Sequence, residues 1–187
     1  MKISEQKTSG IREDENRAGG AFTLIELLVV ITVIAVLAAI AVPVGSHVIQ
    51  SGKAAGCIAN LRSLGTALNL YLGEHSGMMP PLQAGRASVN DDVPVIDNTL
   101  NAYLSDSRAF ICPADTAGIG AASGTSYYWN SVLSKQSIAN LQFFNSGASE
   151  IPVLADKEGF HPFIANKVNV LYADGHASQN LKFGTSQ

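Results

Sequence analysis

Clusters of basic residues are missing from this sequence. Its 12 lysines and arginines are scattered among 15 acidic residues, and the formal net charge is −3. Proteins that bind nucleic acids usually present a basic patch to the phosphate backbone. We therefore expect no nucleic-acid partner.

The usual signatures of catalysis are missing as well. The sequence contains no H-E-x-x-H zinc-peptidase motif, no nucleophile elbow and no motif-supported arrangement of serine, histidine and acid. The glycine-rich stretch 117–124 does not have the spacing of a phosphate-binding loop, so we interpret it as a flexible linker. We expect no enzymatic activity.

One long apolar run stands near the start of the chain. Residues 21–44 contain a single charge, Glu26, whereas the 20 residues before them contain four basic and four acidic side chains. About 20 residues at roughly 1.5 Å each match a hydrocarbon core of roughly 30 Å. A core helix is rarely apolar on every face. The run therefore predicts one transmembrane helix.

A cleaved secretory signal is the alternative interpretation of this run. Ala39-Ile40-Ala41 fits the small-x-small rule for signal cleavage. However, the preceding region is long and has no net positive charge, and the apolar run is longer than is usual for a signal peptide. We favour a retained anchor.

The start of the run carries a motif. Residues 19–30 read G-G-A-F-T-L-I-E-L-L-V-V and resemble the prepilin processing motif of type IV pilins and type II secretion pseudopilins. The resemblance implies that a membrane peptidase cuts before Phe22 and methylates its amine, four residues ahead of Glu26. Ala21 stands where the family usually has glycine, so a cut after Gly20 is the alternative.

Glu26 has a role in this interpretation. A carboxylate within a membrane helix is costly and is seldom kept without a partner. In the family, the glutamate neutralises the amine of a neighbouring subunit, and the resemblance implies the same for Glu26 and Phe22, in processing and in assembly. The alternative is that Glu26 only reaches the membrane surface.

A proline marks the end of the run. Pro43 stands 21 residues after Phe22, where many members of the family carry a helix-bending proline. Proline inside a helix removes a hydrogen bond and clashes with the preceding turn. We expect a kink at Pro43, with a plain helix end as the alternative.

A second helix is predicted by periodicity. Apolar residues recur at intervals of three and four, which indicates an amphipathic helix ending near Gly73. They are Cys57, Leu61, Leu64, Leu68 and Tyr71. The predicted organisation is a leader over 1–21, a transmembrane helix over 22–44, an amphipathic stalk over 45–73 and a head over 74–187.

The head is predicted to contain a small antiparallel sheet. We expect a short helix near 100–104 and strands at 109–112, 126–129, 151–155, 168–173 and 176–181. Asp174-Gly175 between the last two strands predicts a two-residue hairpin turn in which both residues have positive φ. A long bent helix packed on this sheet gives an α+β, pilin-like fold.

The C-terminal part carries a second resemblance, to a pseudopilin-like group that has a His-spacer-Asp-Gly element. The matching residues are Cys57, Asn60-Leu61-Arg62, Cys112-Pro113, Asp115, Ser126-Tyr127-Tyr128, His161 and Asp174-Gly175-His176. Here 12 residues separate His161 from Asp174, where the group usually has nine. The resemblance assigns Asp174 and Gly175 to the element, and His161 stands at its start with a longer spacer than the group has.

The chain contains two cysteines, Cys57 and Cys112. If the head is exported, they can pair with each other in one way only, which predicts a disulfide between stalk and head. The alternative is two buried thiols that pack as small apolar groups.

Several acidic and histidine side chains occur late in the sequence. Related major pseudopilins hold a structural calcium ion in this part of the fold, which makes Asp156 and Asp174 candidate calcium ligands. The local spacing does not match an EF-hand loop. We expect no cofactor, with calcium as the alternative and zinc less expected than calcium.

The resemblance also implies a function. It indicates a structural subunit of a type II secretion or type IV pilus-like filament, with the prepilin peptidase, other pilin or pseudopilin subunits and an inner-membrane assembly platform as partners. The implied topology is single-pass in the inner membrane, with a cytoplasmic N-terminus and a periplasmic or extracellular head. The alternatives are a monomeric membrane-anchored binding module and a secreted protein cleaved near Ala41.

Overall fold

The computed structural model describes residues 22–141, 147–163 and 166–179. The chain forms two compact units, Met1–Val42 and Pro43–Gln187, and each is considered by itself. One helix, α1, spans Leu24–Glu74 and contributes to both units. It ends at Glu74, close to the predicted Gly73.

The first unit contains the apolar start of α1. The large apolar side chains of residues 24–42 are all exposed within the described chain. No face of this part of the helix is covered, which matches a segment whose surroundings are apolar.

Pro43 lies within the helical residues of α1, so the helix does not end there. The interpretation of Pro43 as a plain helix end is therefore wrong. Its side chain lies outside the described part of the structure, and the predicted kink stays a prediction.

In the second unit, α1 turns one face to the core. Cys57, Leu61 and Leu64 are completely buried, and Leu68 is 5% exposed. The predicted amphipathic periodicity is confirmed. A Cβ atom on Gly65 would lie 3.0 Å from Leu171 Cδ1, so the helix and the sheet pack closely at this point.

A four-stranded antiparallel sheet lies in the second unit, in the order β1-β2-β3-β4. Its strands are β1 at Tyr127–Trp129, β2 at Pro152–Asp156, β3 at Val170–Tyr172 and β4 at Ala177–Ser178. Each of these strands lies inside one of the predicted ranges, or extends beyond it by one residue. Strand β4 is shorter than the predicted 176–181, whose end at Leu181 lies outside the described residues. The α+β fold is confirmed.

The hairpin between β3 and β4 has a different turn from the one predicted. The Tyr172 N–H donates to the His176 carbonyl at 2.9 Å, and the Gly175 N–H donates to the Tyr172 carbonyl at 2.9 Å. Three residues therefore form the loop, and of these only Gly175 has positive φ, at +87°. The hairpin is confirmed, but the two-residue turn is wrong because Ala173 also belongs to the loop.

The predicted strand at 109–112 is wrong. A 3₁₀ helix occupies Ser107–Phe110, and the Asp106 side chain accepts a hydrogen bond from the Arg108 N–H at its start. The Phe110 carbonyl then accepts the Ser126 N–H at 2.9 Å. A side-chain cap and a few hydrogen bonds to Thr125 and Ser126 replace the ladder of a strand.

The glycine-rich stretch is also ordered differently from the prediction. Helix α3 spans Ile119–Ser123, and the Asp115 carboxylate accepts the N–H groups of Ile119 and Gly120 at 3.1 and 2.6 Å. The interpretation of 117–124 as a flexible linker is wrong, because Asp115 satisfies the free N–H groups at the start of this helix.

The remaining helices are short. Helix α2 spans Ile96–Leu100, and a 3₁₀ helix at Asn101–Tyr103 follows it, so helical structure begins earlier than the predicted 100–104. Further 3₁₀ helices span Ser131–Leu133, Ile138–Asn140 and Ala148–Glu150.

Candidate functional site

The predicted processing segment is described from Phe22 onward. Gly20 and Ala21, which flank the two alternative cut positions, lie outside the described residues. Phe22 is 83% exposed, and Glu26 is an exposed residue in the first turn of α1. Both side chains are accessible in this chain.

Glu26 takes part in a capping box at the start of α1. The Glu26 N–H donates to Thr23 Oγ1 at 3.3 Å, and the Thr23 N–H donates to Glu26 Oε2 at 2.8 Å. The Thr23 hydroxyl also donates to Oε2, at 2.7 Å. This reciprocal pair satisfies two N–H groups that a helix start otherwise leaves free.

The capping box was missed at the level of sequence, although the T-x-x-E pattern at 23–26 is its signature. It gives Glu26 a local partner in addition to the intermolecular partner that the resemblance implies. The assembly role of Glu26 stays a prediction.

The apolar residues after Glu26 form a candidate membrane segment. Among the described residues, α1 is the one helix that is long and apolar enough to cross a membrane. Length and composition are the basis of this statement, and a signal sequence near an N-terminus would share them.

The predicted disulfide is present. Cys57 on α1 is bonded to Cys112, with their Cα atoms 5.0 Å apart. Both residues are buried, and the alternative of two free thiols is wrong. The bond connects α1 to the segment that follows the 3₁₀ helix Ser107–Phe110.

A buried polar cluster lies beside the disulfide. His161 Nε2 is 3.6 Å from Cys112 Sγ and 3.2 Å from Asp156 Oδ2. Asp156 Oδ2 also accepts the Asn169 N–H at 2.6 Å. Desolvation raises the pKa of the nearby Tyr127 hydroxyl, and the charge of Asp156 raises it further.

Several polar atoms of this cluster have no hydrogen-bond partner in the described part of the chain. They are His161 Nδ1, Asp156 Oδ1 and both polar atoms of the Asn169 side chain. Buried polar groups are seldom left unpaired, so such atoms point to a function or a bound group.

Asp174 and Gly175 form part of an exposed turn. Asp174 Oδ1 lies 2.5 Å from His176 Nδ1 and accepts the His176 N–H at 3.1 Å. The His176 ring stacks on Tyr172, with ring centroids 4.4 Å apart. Burial raises the pKa of Asp174, but hydrogen bonds and the charge of His176 outweigh burial and lower it.

His161 and Asp174, which the His-spacer-Asp-Gly resemblance places in one element, have different partners in the structure. The His161 ring contacts Asp156 and Cys112, whereas Asp174 pairs with His176. The sequence singled out these residues, but it did not indicate that the histidine would lie against the disulfide.

The two candidate calcium ligands lie in different surroundings. Asp156 is buried beside His161, and Asp174 lies in the exposed turn. Among the described residues, the group with converging metal-ligand atoms is Cys57, Cys112 and His161, which contains neither aspartate. Calcium binding by Asp156 and Asp174 stays a prediction.

Comparison with known proteins gives one match. Residues 16–42 match the prokaryotic N-terminal methylation motif, which includes Phe22 and Glu26. Neither the curated proteins nor the solved structures include a significant match to this chain. The chain thus carries a prepilin-type N-terminal methylation motif, consistent with a type IV pilin-like or pseudopilin-like protein.

Proposed function

We propose that this chain is a pseudopilin, a structural subunit of a type II secretion or type IV pilus-like filament. The observation that carries the proposal is the methylation motif at residues 16–42, placed at the start of an exposed apolar helix. The same helix continues into the core of the folded head, where Leu61 and Leu64 are completely buried. The role is structural and involves no catalysis by this chain.

Processing by the prepilin peptidase is the first step of the proposed function. Cleavage before Phe22 creates an amine one residue ahead of Thr23 and leaves the capping box intact. Glu26 therefore remains at the first turn of the helix after cleavage. Its carboxylate can then neutralise the amine of a neighbouring subunit, which removes the cost of two isolated charges in an apolar seam.

Assembly through the apolar segment is the second step. Residues 24–42 expose large apolar side chains on all sides of the helix. In a membrane this surface contacts lipid, and in a filament it contacts the same segment of other subunits. The segment needs one or the other at each stage, because its apolar surface would otherwise be in contact with water.

The proposed location follows from the same features. The segment 22–44 anchors the chain in the inner membrane, with a cytoplasmic N-terminus before cleavage and a periplasmic or extracellular head. The Cys57–Cys112 disulfide supports this orientation, because disulfides persist mainly outside the cytoplasm. The proposed partners are the prepilin peptidase, other pilin or pseudopilin subunits and the inner-membrane assembly platform.

A monomeric membrane-anchored binding module is the competing function, and an assembly experiment separates the two. Two copies of the full chain, with different C-terminal tags, are expressed with and without a prepilin peptidase and extracted from membranes. We expect the tags to co-purify when the peptidase is present. Failure to co-purify from cells that contain the peptidase and the assembly platform would favour the monomeric module.

Two variants test whether the carboxylate of Glu26 acts between subunits. Glu26→Gln keeps the size of the side chain but removes its charge, so we expect co-purification to fall, and intact mass separates an effect on processing from an effect on assembly. Thr23→Ala is the matched control, because it breaks the capping box and keeps the carboxylate. If Thr23→Ala reduces co-purification as much as Glu26→Gln, the capping box explains the effect and the intermolecular role of Glu26 is wrong.

A further inference from the structure

Three metal-ligand atoms converge in the interior of the head. The Sγ atoms of Cys57 and Cys112 and a ring nitrogen of His161 all lie within 4.8 Å of one another. Cys57 comes from α1, Cys112 follows a 3₁₀ helix, and His161 follows β2. All three residues are at most 2% exposed. Thiolate and imidazole together are the ligands that zinc prefers in structural sites.

The spacing of these atoms fits a tetrahedral zinc ion. With zinc–sulfur bonds of about 2.3 Å and zinc–nitrogen bonds of about 2.0 Å, a tetrahedron places sulfur and nitrogen about 3.5 Å apart. The distance from Cys112 Sγ to His161 Nε2 is 3.6 Å. In such a site the two sulfur atoms would also move apart, to about 3.8 Å, once no bond joins them.

Asp156 is the candidate fourth ligand, and its carboxylate would have to move towards the sulfur atoms to bind the same ion, because it is not among the atoms that lie within 4.8 Å of one another. Its Oδ2 lies 3.2 Å from His161 Nε2, close to the separation of about 3.3 Å that a tetrahedron gives for nitrogen and oxygen ligands. The Asn169 N–H donates to Oδ2 at 2.6 Å and would hold the carboxylate in position. Asp156 Oδ1 and His161 Nδ1 have no partner among the described residues.

A cavity lies beside this cluster. It has a volume of about 220 Å³ and lies within the second unit, where His161, His47, Gln50 and Gln179 are among its lining residues. The cavity is larger than a water molecule needs. Of the four proposed ligands, His161 lines this cavity, and its side chain is 1% exposed, so an ion would have to displace neighbouring side chains to reach the cluster.

We propose that the reduced head binds one zinc ion through Cys57, Cys112, His161 and Asp156. Reduction by a dithiol or a phosphine breaks the S–S bond and delivers two electrons and two protons to the cysteines, while the reductant is oxidised. Zinc binding then releases the two thiol protons to solvent, and neutral His161 coordinates through Nε2. The disulfide and the zinc site are mutually exclusive states of the same cysteines.

The two states would fix the same elements to each other. The disulfide joins α1 to the segment at Cys112, and the zinc ion would join these two and add the end of β2 through Asp156 and His161. A newly exported chain could thus hold its helix against its sheet before oxidation. This inference does not depend on filament assembly.

The site could not be recognised from the sequence, where zinc was less expected than calcium. His161 is 49 residues from Cys112, and Cys112 is 55 residues from Cys57. Zinc motifs are recognised by closely spaced ligand pairs, and this chain has none. The fold alone brings the ligands together.

Cobalt titration of the reduced full chain tests the proposal. The chain is solubilised in detergent, reduced with a phosphine without oxygen, and checked by intact mass for the gain of two hydrogens. We expect Co²⁺ to bind in one equivalent, with thiolate-to-cobalt charge-transfer absorption and the visible bands of tetrahedral cobalt. Zn²⁺ should abolish these bands. The oxidised chain is the matched control and should show no thiolate absorption.

Histidine variants identify the nitrogen ligand. His161→Gln should weaken binding of Co²⁺ to the reduced chain by at least about tenfold. His176→Gln should leave binding unchanged, because His176 lies in the exposed turn and pairs with Asp174. Circular dichroism of the oxidised variants checks that each one is folded.

X-ray absorption of the zinc-loaded wild-type chain keeps the proposal testable if His161→Gln does not fold. We expect two sulfur ligands at about 2.3 Å and two nitrogen or oxygen ligands at about 2.0 Å. Absence of thiolate absorption in the reduced chain, equal binding by His161→Gln, or four sulfur ligands from two chains would each overturn the proposal.

Discussion

Removing the disulfide should destabilise the head by an amount that depends on the number of residues between the two cysteines. Cys57 and Cys112 are 55 residues apart. In the chain-entropy model, closing a loop of this length lowers the entropy of the unfolded state and contributes about 4 kcal/mol at 25 °C. Cys57→Ala and Cys112→Ala should therefore each lower the free energy of unfolding by roughly 4 kcal/mol.

The double variant makes this prediction specific. Either single substitution already breaks the bond, so Cys57→Ala with Cys112→Ala should cost at most about 1 kcal/mol more than either alone. The coupling between the two sites should then be close to the full value of about 4 kcal/mol. If the two residues were only packed thiols, the losses of stability in the two single variants would add up in the double variant.

Trp129 provides the assay. It is the one tryptophan in the sequence and is 2% exposed in β1, so its fluorescence reports unfolding of the sheet. Urea unfolding of the full chain in detergent, with a chelator present to exclude metal binding, gives the free energies. Additivity of the two single substitutions within about 0.5 kcal/mol would refute the reasoning.

Three further predictions concern the core and α3. Leu61→Ala should cost about 2–5 kcal/mol because Leu61 is completely buried, whereas the exposed Ser63→Ala should change stability by less than about 0.5 kcal/mol; equal urea midpoints would contradict this. Gly120→Ala should cost about 1–3 kcal/mol because its Cβ would overlap neighbouring side chains, whereas Gly52→Ala, with open space around it, should be neutral or stabilising; a reversed order of thermal midpoints would be inconsistent with the packing. Burial raises the pKa of Asp115, but the hydrogen bonds to its carboxylate outweigh burial and place the pKa below its usual value. The stabilisation is therefore present above the unfolded pKa of about 3.9 and is lost as the pH falls through the folded pKa. Asp115→Asn should reduce the loss of stability below about pH 4. If the free energy of unfolding falls with pH equally in the variant and the wild type, Asp115 does not contribute.

Periodicity explains which parts of the fold could be predicted. The three- and four-residue spacing of Cys57, Leu61 and Leu64 follows directly from helix geometry, so the buried face of α1 was evident in the sequence. The strands that became β1 to β3 are apolar runs with β-branched or aromatic residues, and their positions were found to within a few residues.

Two of the wrong predictions share a physical cause, which is capping by side chains. Asp106 caps a 3₁₀ helix in a stretch whose composition suggested a strand. Asp115 caps α3 in a stretch whose glycines suggested a linker. Such local hydrogen bonds compete with propensity and are not visible in hydrophobic patterns.

The candidate sites differ in how far sequence predicts them. The processing motif is a continuous run of residues, and the family match at 16–42 agrees with it. The polar cluster depends on contacts of Cys112, Asp156 and His161 that form only after the sheet has folded. Contacts between residues this far apart follow from tertiary structure, which a single sequence does not give.

Processing at Phe22 is the claim on which the proposed function depends most. Intact mass and N-terminal sequencing of the membrane-extracted protein, from cells with and without a prepilin peptidase, test it directly. The account predicts a chain that begins at N-methylated Phe22 only when the peptidase is present. A chain that keeps Met1 in the presence of the peptidase, or one that begins near Pro43, would contradict it.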